Sequence, residues 1–344
     1  MISSTSGGQD LLKGAPLLKG AGLLAILAFP LLGFSDYVLH IAISILIWGF
    51  IYTGWSVMGR FGLVSLGHGA FLGVGAYGTT MLWNHLGLTP WLGIPAAVAV
   101  AALLGLLIGL PCFRFRITGH YFALVTLALS EVVRLLIVAL RDHTGGSLGV
   151  TPAGMVSPED PVSLYALQFA SKSVWFYIVV AVWLAGLLIW RAVDRSMLRY
   201  AMEAISQEED AAASVGIHVT RTKLTVTVIS AALTAFGGAV YGQYQQYINP
   251  ETVSGIAISL QIVFAVIAGG MCVQLGPTMG AVITLLLGEG LRLAFGNEFH
   301  GLDVMVYGLM LVLFIIYMPR GVLGKAIEVM TARRPTAPSL QPGE

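Results

Sequence analysis

Two pairs of opposite charges lie in stretches of the chain that are otherwise apolar. Glu131 precedes Arg134 by three residues, and Glu289 precedes Arg292 by the same spacing. On a helix this spacing places both side chains on one face, where they can form an ion pair. Each pair is a candidate gate for a solute or an anchor for helix packing. We favour packing because nearby opposite charges lower each other's cost in an apolar environment.

A lone histidine and several hydroxyl groups form a second set of candidates. His68 follows Ser65 in a glycine-rich stretch, and Tyr121 and Thr126 lie in a later apolar stretch. An imidazole among small residues can contact a solute in a pore, but it is more commonly a packing residue held by a hydrogen bond. We retain these four side chains as possible pore residues, with packing as the alternative.

The chain lacks the patterns that metalloenzymes and nucleotide-binding proteins use. It contains neither an H-E-x-x-H motif nor a G-x-x-x-x-G-K-[ST] phosphate loop. Gly73, Gly75 and Gly78 spell G-x-G-x-x-G, but no strand precedes them, so they predict close helix packing rather than a nucleotide site. Cys112 and Cys272 are isolated thiols. We expect no catalytic residue, no metal site and no cofactor on this chain.

One polar stretch has the features of a short helix. Ser206 followed by Glu209 fits a capping box, and Glu208, Glu209 and Asp210 fall in the first turn, where the helix dipole favours carboxylates. Gly216 predicts the end of the helix. The small face formed by Ala211, Ala212 and Ala213 could fit a groove on a partner protein. The alternative is an interfacial helix that only covers a loop.

The composition sets the fold class of the chain. Hydrophobic residues occupy 57% of the 344 positions and charged residues only 10%, against roughly 25% charged residues in an average soluble domain. A spanning helix needs about 20 apolar residues, so the length predicts an all-α integral membrane protein, a polytopic bundle of about ten transmembrane helices. The predicted spans are 16–34, 37–58, 61–83, 91–112, 118–140, 173–192, 224–245, 257–272, 276–294 and 303–319.

The basic residues predict the orientation of these spans. Cytoplasmic loops carry an excess of Lys and Arg, and a cytoplasmic N-terminus places most of the 18 basic residues on that side. Both termini are then cytoplasmic. The net charge is +1, and the basic residues form no long run, so nucleic acid is not an expected partner. The partner that the composition does predict is the lipid bilayer.

Two connections and the C-terminal tail complete the predicted domain organisation. Residues 141–172 form an outer loop, and residues 193–223 form a cytoplasmic loop that contains the polar helix. Residues 1–325 make up the transmembrane domain. Residues 326–344 are rich in Pro and polar residues and are predicted to be a disordered cytoplasmic tail.

Several motifs resemble one family of transport proteins. Asp210-Ala211-Ala212, followed by three residues and Gly216, resembles the EAA-x3-G loop of ABC importer permeases, with Asp in place of Glu. FGLVSLGHGAFLGVGAYG at 61–78, FRITGHYFALVTLALSEVVRL at 115–135 and MPRGVLG at 318–324 are similar to LivM-type permeases for branched-chain amino acids. The resemblance spans residues 40–325, with the motifs in the expected order.

The resemblance implies a function and a set of partners. It implies half of a translocation pore in the bacterial inner membrane, paired with a second, LivH-like permease, with two ATPase subunits and with a periplasmic or lipid-anchored substrate-binding protein. ATP and Mg are then expected on the ATPase chains. The polar stretch, including Glu203, Glu208, Glu209, Asp210, Ala211, Ala212 and Gly216, is implied to be the coupling helix that contacts an ATPase.

Alternatives to this function remain open from the sequence. The same architecture imports urea, amides or aromatic acids in related permeases. An ion-coupled secondary transporter or channel would need charges at the middle of the membrane, whereas here they lie toward the ends of spans. ALVTLALSEVVRL at 123–135 and AVITLLLGEGLRL at 281–293 are similar, which fits either an internal repeat or chance matching between leucine-rich spans.

Overall fold

The computed structural model describes residues 26–154, 162–295, 305, 308–309, 312–313 and 321–332. Most of the predicted first span, 16–34, and most of the predicted last span, 303–319, lie outside the described residues. The same is true of residues 333–344 of the predicted tail. The expected total of about ten spans is therefore a prediction that extends beyond the described part of the chain.

The described chain is a bundle of helices with very little sheet. The eleven helices that carry the argument are α1 Asp36–Gly59, α2 His68–Leu86, α3 Pro90–Arg114, α4 Gly119–Ala139, α5 Lys172–Arg195, α6 Met197–Gln207, α7 Glu209–Ser214, α8 Val219–Gln245, α9 Ile256–Gly269, α10 Gly276–Phe295 and α11 Gly321–Ala332. Short helical turns occur at Phe29–Leu32, Arg141–Thr144, Gly146–Leu148 and Pro250–Val253. The strands β1 Val162–Ser163 and β2 Gln168–Phe169 pair antiparallel in the loop before α5.

Six described segments are long and apolar enough to cross a membrane, namely Asp36–Gly59, Pro90–Arg114, Gly119–Ala139, Lys172–Arg195, Val219–Gln245 and Pro250–Gly269. Helix α2 is not among them, although it corresponds to the predicted span 61–83. Most of its side chains are buried between other helices. A helix that packs against protein on nearly all sides can carry many glycine and polar residues, because it presents little surface to lipid.

Glycines allow the central helices to make close contact. Helix α8 packs against α1, α2 and α3. A Cβ atom at Gly75 would lie 1.9 Å from the carbonyl oxygen of Ala235, and one at Gly238 would lie 2.2 Å from that of Leu72. These distances are too short for any side chain, so α2 and α8 depend on glycine at both positions. The G-x-G-x-x-G pattern is thus a packing motif, as the sequence predicts.

The two ends of the bundle differ in charge. One end of the bundle contains the last residues of α1, α3 and α5 and the first residues of α4 and α8, and α6 and α7 lie there as well. The basic residues at this end include Arg60, Arg114, Arg116, Arg195 and Lys223. We call this the basic end. At the opposite end, Trp83 and Asn84 donate hydrogen bonds to the backbone of the loop that follows α4.

The loop between α1 and α2 folds back into the bundle, which corrects the predicted start of the span at residue 61. Trp55 Nε1 donates to the Ser65 carbonyl oxygen at 2.8 Å, and the Leu66 amide donates to Thr126 Oγ1 at 3.0 Å. These bonds satisfy a backbone that is buried but not helical. Helix α2 therefore begins only at His68.

Two further boundaries differ from the predicted ones. The predicted span 257–272 ends at Gly269, and Gly270 has a φ of +115°, which favours glycine. Helix α11 continues to Ala332, so residues 326–332, predicted as part of the disordered tail, are helical.

Candidate functional site

The polar segment at the basic end consists of two helices rather than one. Helix α6 ends at Gln207, and Glu208 is extended before α7 begins at Glu209. Ser206 lies in the last turn of α6, where its hydroxyl donates to the Glu203 carbonyl oxygen at 2.8 Å. The predicted capping box is therefore wrong. Ser206 lies inside α6, and the N-cap of α7 is Glu208. A serine within a helix readily hydrogen-bonds to a backbone carbonyl three residues earlier.

Gly216 ends α7 as the sequence predicts. Its φ is +92°, its amide donates to the Ala213 carbonyl oxygen at 3.0 Å, and the Ile217 amide donates to that of Ala212 at 3.1 Å. This pattern of bonds satisfies carbonyl groups that the end of a helix leaves without partners. The turn directs the chain from α7 into α8.

The alanine face of α7 is divided between the protein core and the surface. Ala212 is only 3% exposed and belongs to an apolar cluster with Phe113, Phe122, Met202 and Ile205. Ala211 and Ala213 are exposed. The prediction that Ala212 faces a partner protein is therefore wrong. Helix α7 has only six residues and stays attached because one of its small side chains packs inward.

Three acidic residues of the segment form ion pairs, one within α6 and two with other parts of the bundle. Glu203 accepts from Arg199 at 2.7 Å, and Asp210 lies 3.0 Å from Arg116 in the α3–α4 loop. Glu209 pairs with Lys223 in the first turns of α8, and the Lys223 side chain is 3% exposed. The segment is thus fixed by charge to α8 and to the loop between α3 and α4. Glu208 is exposed.

Arg199 and Arg60 extend this arrangement of charges. The hydrogen bond to Glu203 raises the pKa of Arg199. Burial lowers the pKa of Arg60 to about 10, and Asp194 opposes that shift. Both guanidinium groups therefore remain charged at neutral pH.

A surface cavity of about 460 Å³ lies between α7 and the start of α8. Its lining combines the Arg116–Asp210 pair with exposed backbone around Gly216. The residues that line it are Phe113, Arg114, Arg116, Glu209, Asp210, Ala213, Gly216, Ile217, His218, Val219, Thr220 and Arg221. The cavity is open to the surface, which suits a protruding side chain of another protein better than an enclosed small molecule.

Three of the possible pore residues lie together in the interior. His68 Nε2 lies 2.8 Å from Ser230 Oγ, which donates to the Gly54 carbonyl oxygen at 2.7 Å. Ser65 and Thr126 bind the backbone of the α1–α2 loop. All three side chains are buried within the described chain, so this arrangement joins α1, α2, α4 and α8. Tyr121 lies apart from them and is 75% exposed.

Both predicted charge pairs form as the spacing indicates. Arg134 donates to Glu131 and also reaches Glu251 at 2.9 Å, in the short turn before α9. Arg292 donates to Glu289 at 2.9 Å, and the Tyr37 hydroxyl also binds Glu289. Each pair therefore has a partner from another helix or loop. The two pairs lie on different helices, α4 and α10.

A group of small hydroxyl residues joins α2, α4 and α9 and was not singled out from the sequence. Ser130 Oγ donates to the Gly255 carbonyl oxygen at 3.0 Å and lies 2.9 Å from Ser259 Oγ. Ser259 Oγ accepts from the Gly69 amide at 3.0 Å. Isolated serines in apolar helices are common interhelical contacts. The sequence positions of Ser130 and Ser259 do not indicate this contact, because the sequence alone does not show which helices are neighbours.

The described residues contain no group of three or more His, Cys, Asp or Glu side chains that could hold a metal ion. Cys112 is buried and Cys272 is exposed, and each is a free thiol. At the basic end, the described charged side chains form ion pairs.

Comparison with known proteins identifies relatives of this chain. Residues 37–315 match the family described as branched-chain amino acid transport system / permease component. The high-affinity branched-chain amino acid transport system permease protein LivM of Salmonella typhimurium is 32% identical over 290 residues, which cover 78% of this chain and 65% of that protein. The chain thus spans slightly less than two thirds of the length of this relative.

Two further relatives are permeases with other names. LivH of Escherichia coli strain K12 is 26% identical over 281 residues, which cover 78% of this chain and 88% of that protein. The L-arabinose ABC transporter permease protein AraH of Azospirillum brasilense is 29% identical over 199 residues, which cover 57% of this chain and 53% of that protein. No solved structure matches the chain. Because the family match includes every long helix from α1 to α10, the chain belongs to the family of permease components of branched-chain amino acid transport systems.

Proposed function

We propose that this chain is one permease subunit of a binding-protein-dependent ABC importer and forms half of a pore for branched-chain or other hydrophobic amino acids. The observation that carries the proposal is the α6–α7 segment, a short pair of helices fixed by ion pairs at the basic end of a multi-pass bundle. The match to LivM over most of the chain supports the amino acid as substrate. The match to AraH shows that likeness at this level also extends to a permease named for a sugar.

In the proposed orientation, the protein spans the inner membrane of a bacterial cell and its basic end faces the cytoplasm. The excess of Arg and Lys at this end supports it, because positively charged loops are retained on the cytoplasmic side. An ATPase could then reach α6 and α7. The loops at the opposite end would face a substrate-binding protein, and both termini of the chain would be cytoplasmic.

The proposed partners are those that the resemblance to LivM-type permeases implies. Two ATPase subunits bind Mg and ATP and hydrolyse the ATP. A LivH-like permease completes the pore, and a periplasmic or lipid-anchored protein delivers the substrate. The apolar faces of α3 and α4 support contact with lipid or with a second permease, since only 33% of each candidate span is buried in this chain. Exposed Glu208, Ala211 and Ala213 are the proposed contacts to the ATPase.

The test uses the complete complex, reconstituted in proteoliposomes with its binding protein. Leucine uptake that requires ATP inside the vesicle supports the proposal. Uptake of urea, an amide or an aromatic acid in preference to leucine would contradict the proposed substrate but still support an ABC importer. Uptake that proceeds without ATP and follows an ion gradient would overturn the importer proposal in favour of a secondary transporter or channel.

The coupling role is tested separately by variants of the exposed face. Ala213→Glu introduces a bulky charge where the side chain is exposed, so the fold of the chain is expected to persist. Ala212→Glu would bury that charge and is unsuitable, because loss of folding would imitate loss of coupling. Transport and ATP hydrolysis by Ala213→Glu that match the unaltered complex would show that α7 does not contact an ATPase. Arg195→Gln, an exposed change in the last turn of α5 that alters the charge by the same amount, is the control.

A further inference from the structure

A series of alternating charges connects α6 to the end of α1. Arg60 Nη1 lies 3.0 Å from Asp194 Oδ1, the same oxygen lies 3.4 Å from Arg199 Nη1, and Arg199 Nε donates to Glu203 at 2.7 Å. Arg60 caps α1, Asp194 lies in the last turn of α5, and Arg199 and Glu203 lie on α6. The carboxylate of Asp194 is therefore shared between two arginines that belong to different helices.

Arg60 is buried in a way that makes Asp194 its essential partner. Its side chain is 5% exposed, and its guanidinium lies 4.3 Å from the centre of the Trp190 ring and 4.7 Å from that of Phe61. Its Nε and Nη2 atoms have no hydrogen-bond partner. A buried charge is strongly unfavourable when its counterion is lost. The position of Arg60, and with it the end of α1, thus depends on where Asp194 lies.

The end of α1 is linked in turn to the buried polar group around His68. Ser56 accepts a hydrogen bond from Trp190 at 3.1 Å, Trp55 donates to the backbone of Ser65, and the Gly54 carbonyl accepts from Ser230, which binds His68. These contacts occur within the last two turns of α1. A displacement of Arg60 would therefore reach the interior of the bundle through α1 itself.

We propose that Asp194 is a positioning residue that transmits movement of α6 to α1. The inference rests on the proposed function, in which an ATPase moves the α6–α7 segment. When α6 shifts, Arg199 moves with it and the Arg199–Asp194 ion pair changes. Asp194 and Arg60 then change position together. Asp194 and Arg60 touch neither the substrate nor the ATPase in this scheme.

The experiment separates transmission from stability with three variants in the reconstituted complex. Asp194→Asn retains the shape of the side chain and removes its charge. Arg60→Gln/Asp194→Asn removes both charges, so that no buried guanidinium is left without a counterion. Asp194→Glu retains the charge and tests rescue. For each variant, the thermal midpoint of unfolding and the amount of substrate transported per ATP hydrolysed are measured. Arg195→Gln, which removes an exposed charge next to Asp194, is the matched control.

We expect Asp194→Asn to lower both the thermal midpoint and the transport per ATP, the latter by about fivefold or more. The double variant should recover the thermal midpoint but not the transport per ATP, and Asp194→Glu should recover part of both. The inference is overturned if transport per ATP recovers together with stability in the double variant, or if Asp194→Asn transports normally. Absence of ATP-dependent uptake by the unaltered complex would instead refute the proposed function, so the two failures are distinguishable.

Discussion

Lys223 and Glu209 form an ion pair in which the lysine is almost completely buried, with its side chain 3% exposed, while the glutamate remains 30% exposed. Lys223 lies in the first turns of α8, the helix that packs against α1, α2 and α3, and Glu209 is the first residue of α7. The lysine also lies 5.7 Å from the centre of the Phe113 ring. The segment proposed to receive an ATPase is therefore tied directly to the central helix of the bundle.

The first prediction concerns this pair. Glu209→Gln leaves a buried ammonium group without its counterion, so we expect a loss of stability on the order of 3 kcal/mol. Lys223→Met should cost less, because it removes the buried charge itself. Thermal unfolding of the purified protein in detergent provides the measurement. Glu208→Gln, an adjacent exposed change of the same chemistry, is the control and should leave the midpoint unchanged. Equal midpoints for all three variants would show that the pair contributes nothing to stability.

The second prediction concerns the turn after α7. Gly216 has a φ of +92°, and a Cβ atom there would meet nothing within 4 Å, so a substitution is opposed only by backbone strain. We expect Gly216→Ala to cost about 1 kcal/mol and Gly216→Asn to cost less, because asparagine tolerates the left-handed region. The thermal midpoint of each variant gives the comparison. Gly154→Ala, also in open space but without a positive φ, should have no effect. A Gly216→Ala variant as stable as the Gly154→Ala control would contradict the assigned turn geometry.

The sequence predicted the site only in part, and the α6–α7 segment shows why. Gly216 was identifiable because a glycine after a polar helix has one common role. The capping box at Ser206 and Glu209 was wrong because an amino-acid pattern does not reveal which helix a residue belongs to. The inward position of Ala212 depends on Phe113 and Phe122, which are distant in sequence.

The fold was predictable to a similar extent. The long apolar stretches gave most helices within a few residues, since spans require a run of apolar residues. The start of α2 at His68 was not predictable, because the preceding loop is buried by tertiary hydrogen bonds from Trp55 and Thr126. The series from Arg60 to Glu203 was equally hidden, although three of its members lie within ten residues of one another.

The third prediction concerns helix packing at the G-x-G-x-x-G pattern. A Cβ atom at Gly75 would lie 1.9 Å from the Ala235 carbonyl oxygen, so Gly75→Ala must separate α2 from α8. We expect a loss of about 3 kcal/mol, near the upper end for overpacked cores. Gly290→Ala on α10 is the control, because its Cβ would meet nothing within 4 Å, and it should be neutral or slightly stabilising. Thermal unfolding distinguishes the two, and a stable Gly75→Ala protein would rule out the close contact.

The fourth prediction uses two threonines that occupy equivalent positions in the similar stretches 123–135 and 281–293. Thr126 and Thr284 each donate a hydrogen bond to backbone carbonyls of their own helix. Thr126 Oγ1 additionally accepts from the Leu66 amide at 3.0 Å. The hydrogen bonds of Thr284 Oγ1 run to the Gly280 and Ala281 carbonyl oxygens of its own helix. The two side chains are therefore alike within their helices but differ in what depends on them.

Replacing each threonine with valine retains the shape and removes the hydroxyl group. Thr126→Val leaves the Leu66 amide of the folded-back loop without its acceptor, which is expected to cost about 2 kcal/mol. Thr284→Val removes hydrogen bonds within its own helix and leaves no loop amide without an acceptor, so it should cost well under half as much. The thermal midpoints of the two variants, measured side by side, test this difference. If both variants lose the same stability, the α1–α2 loop is not held by Thr126, and the start of α2 at His68 needs another explanation.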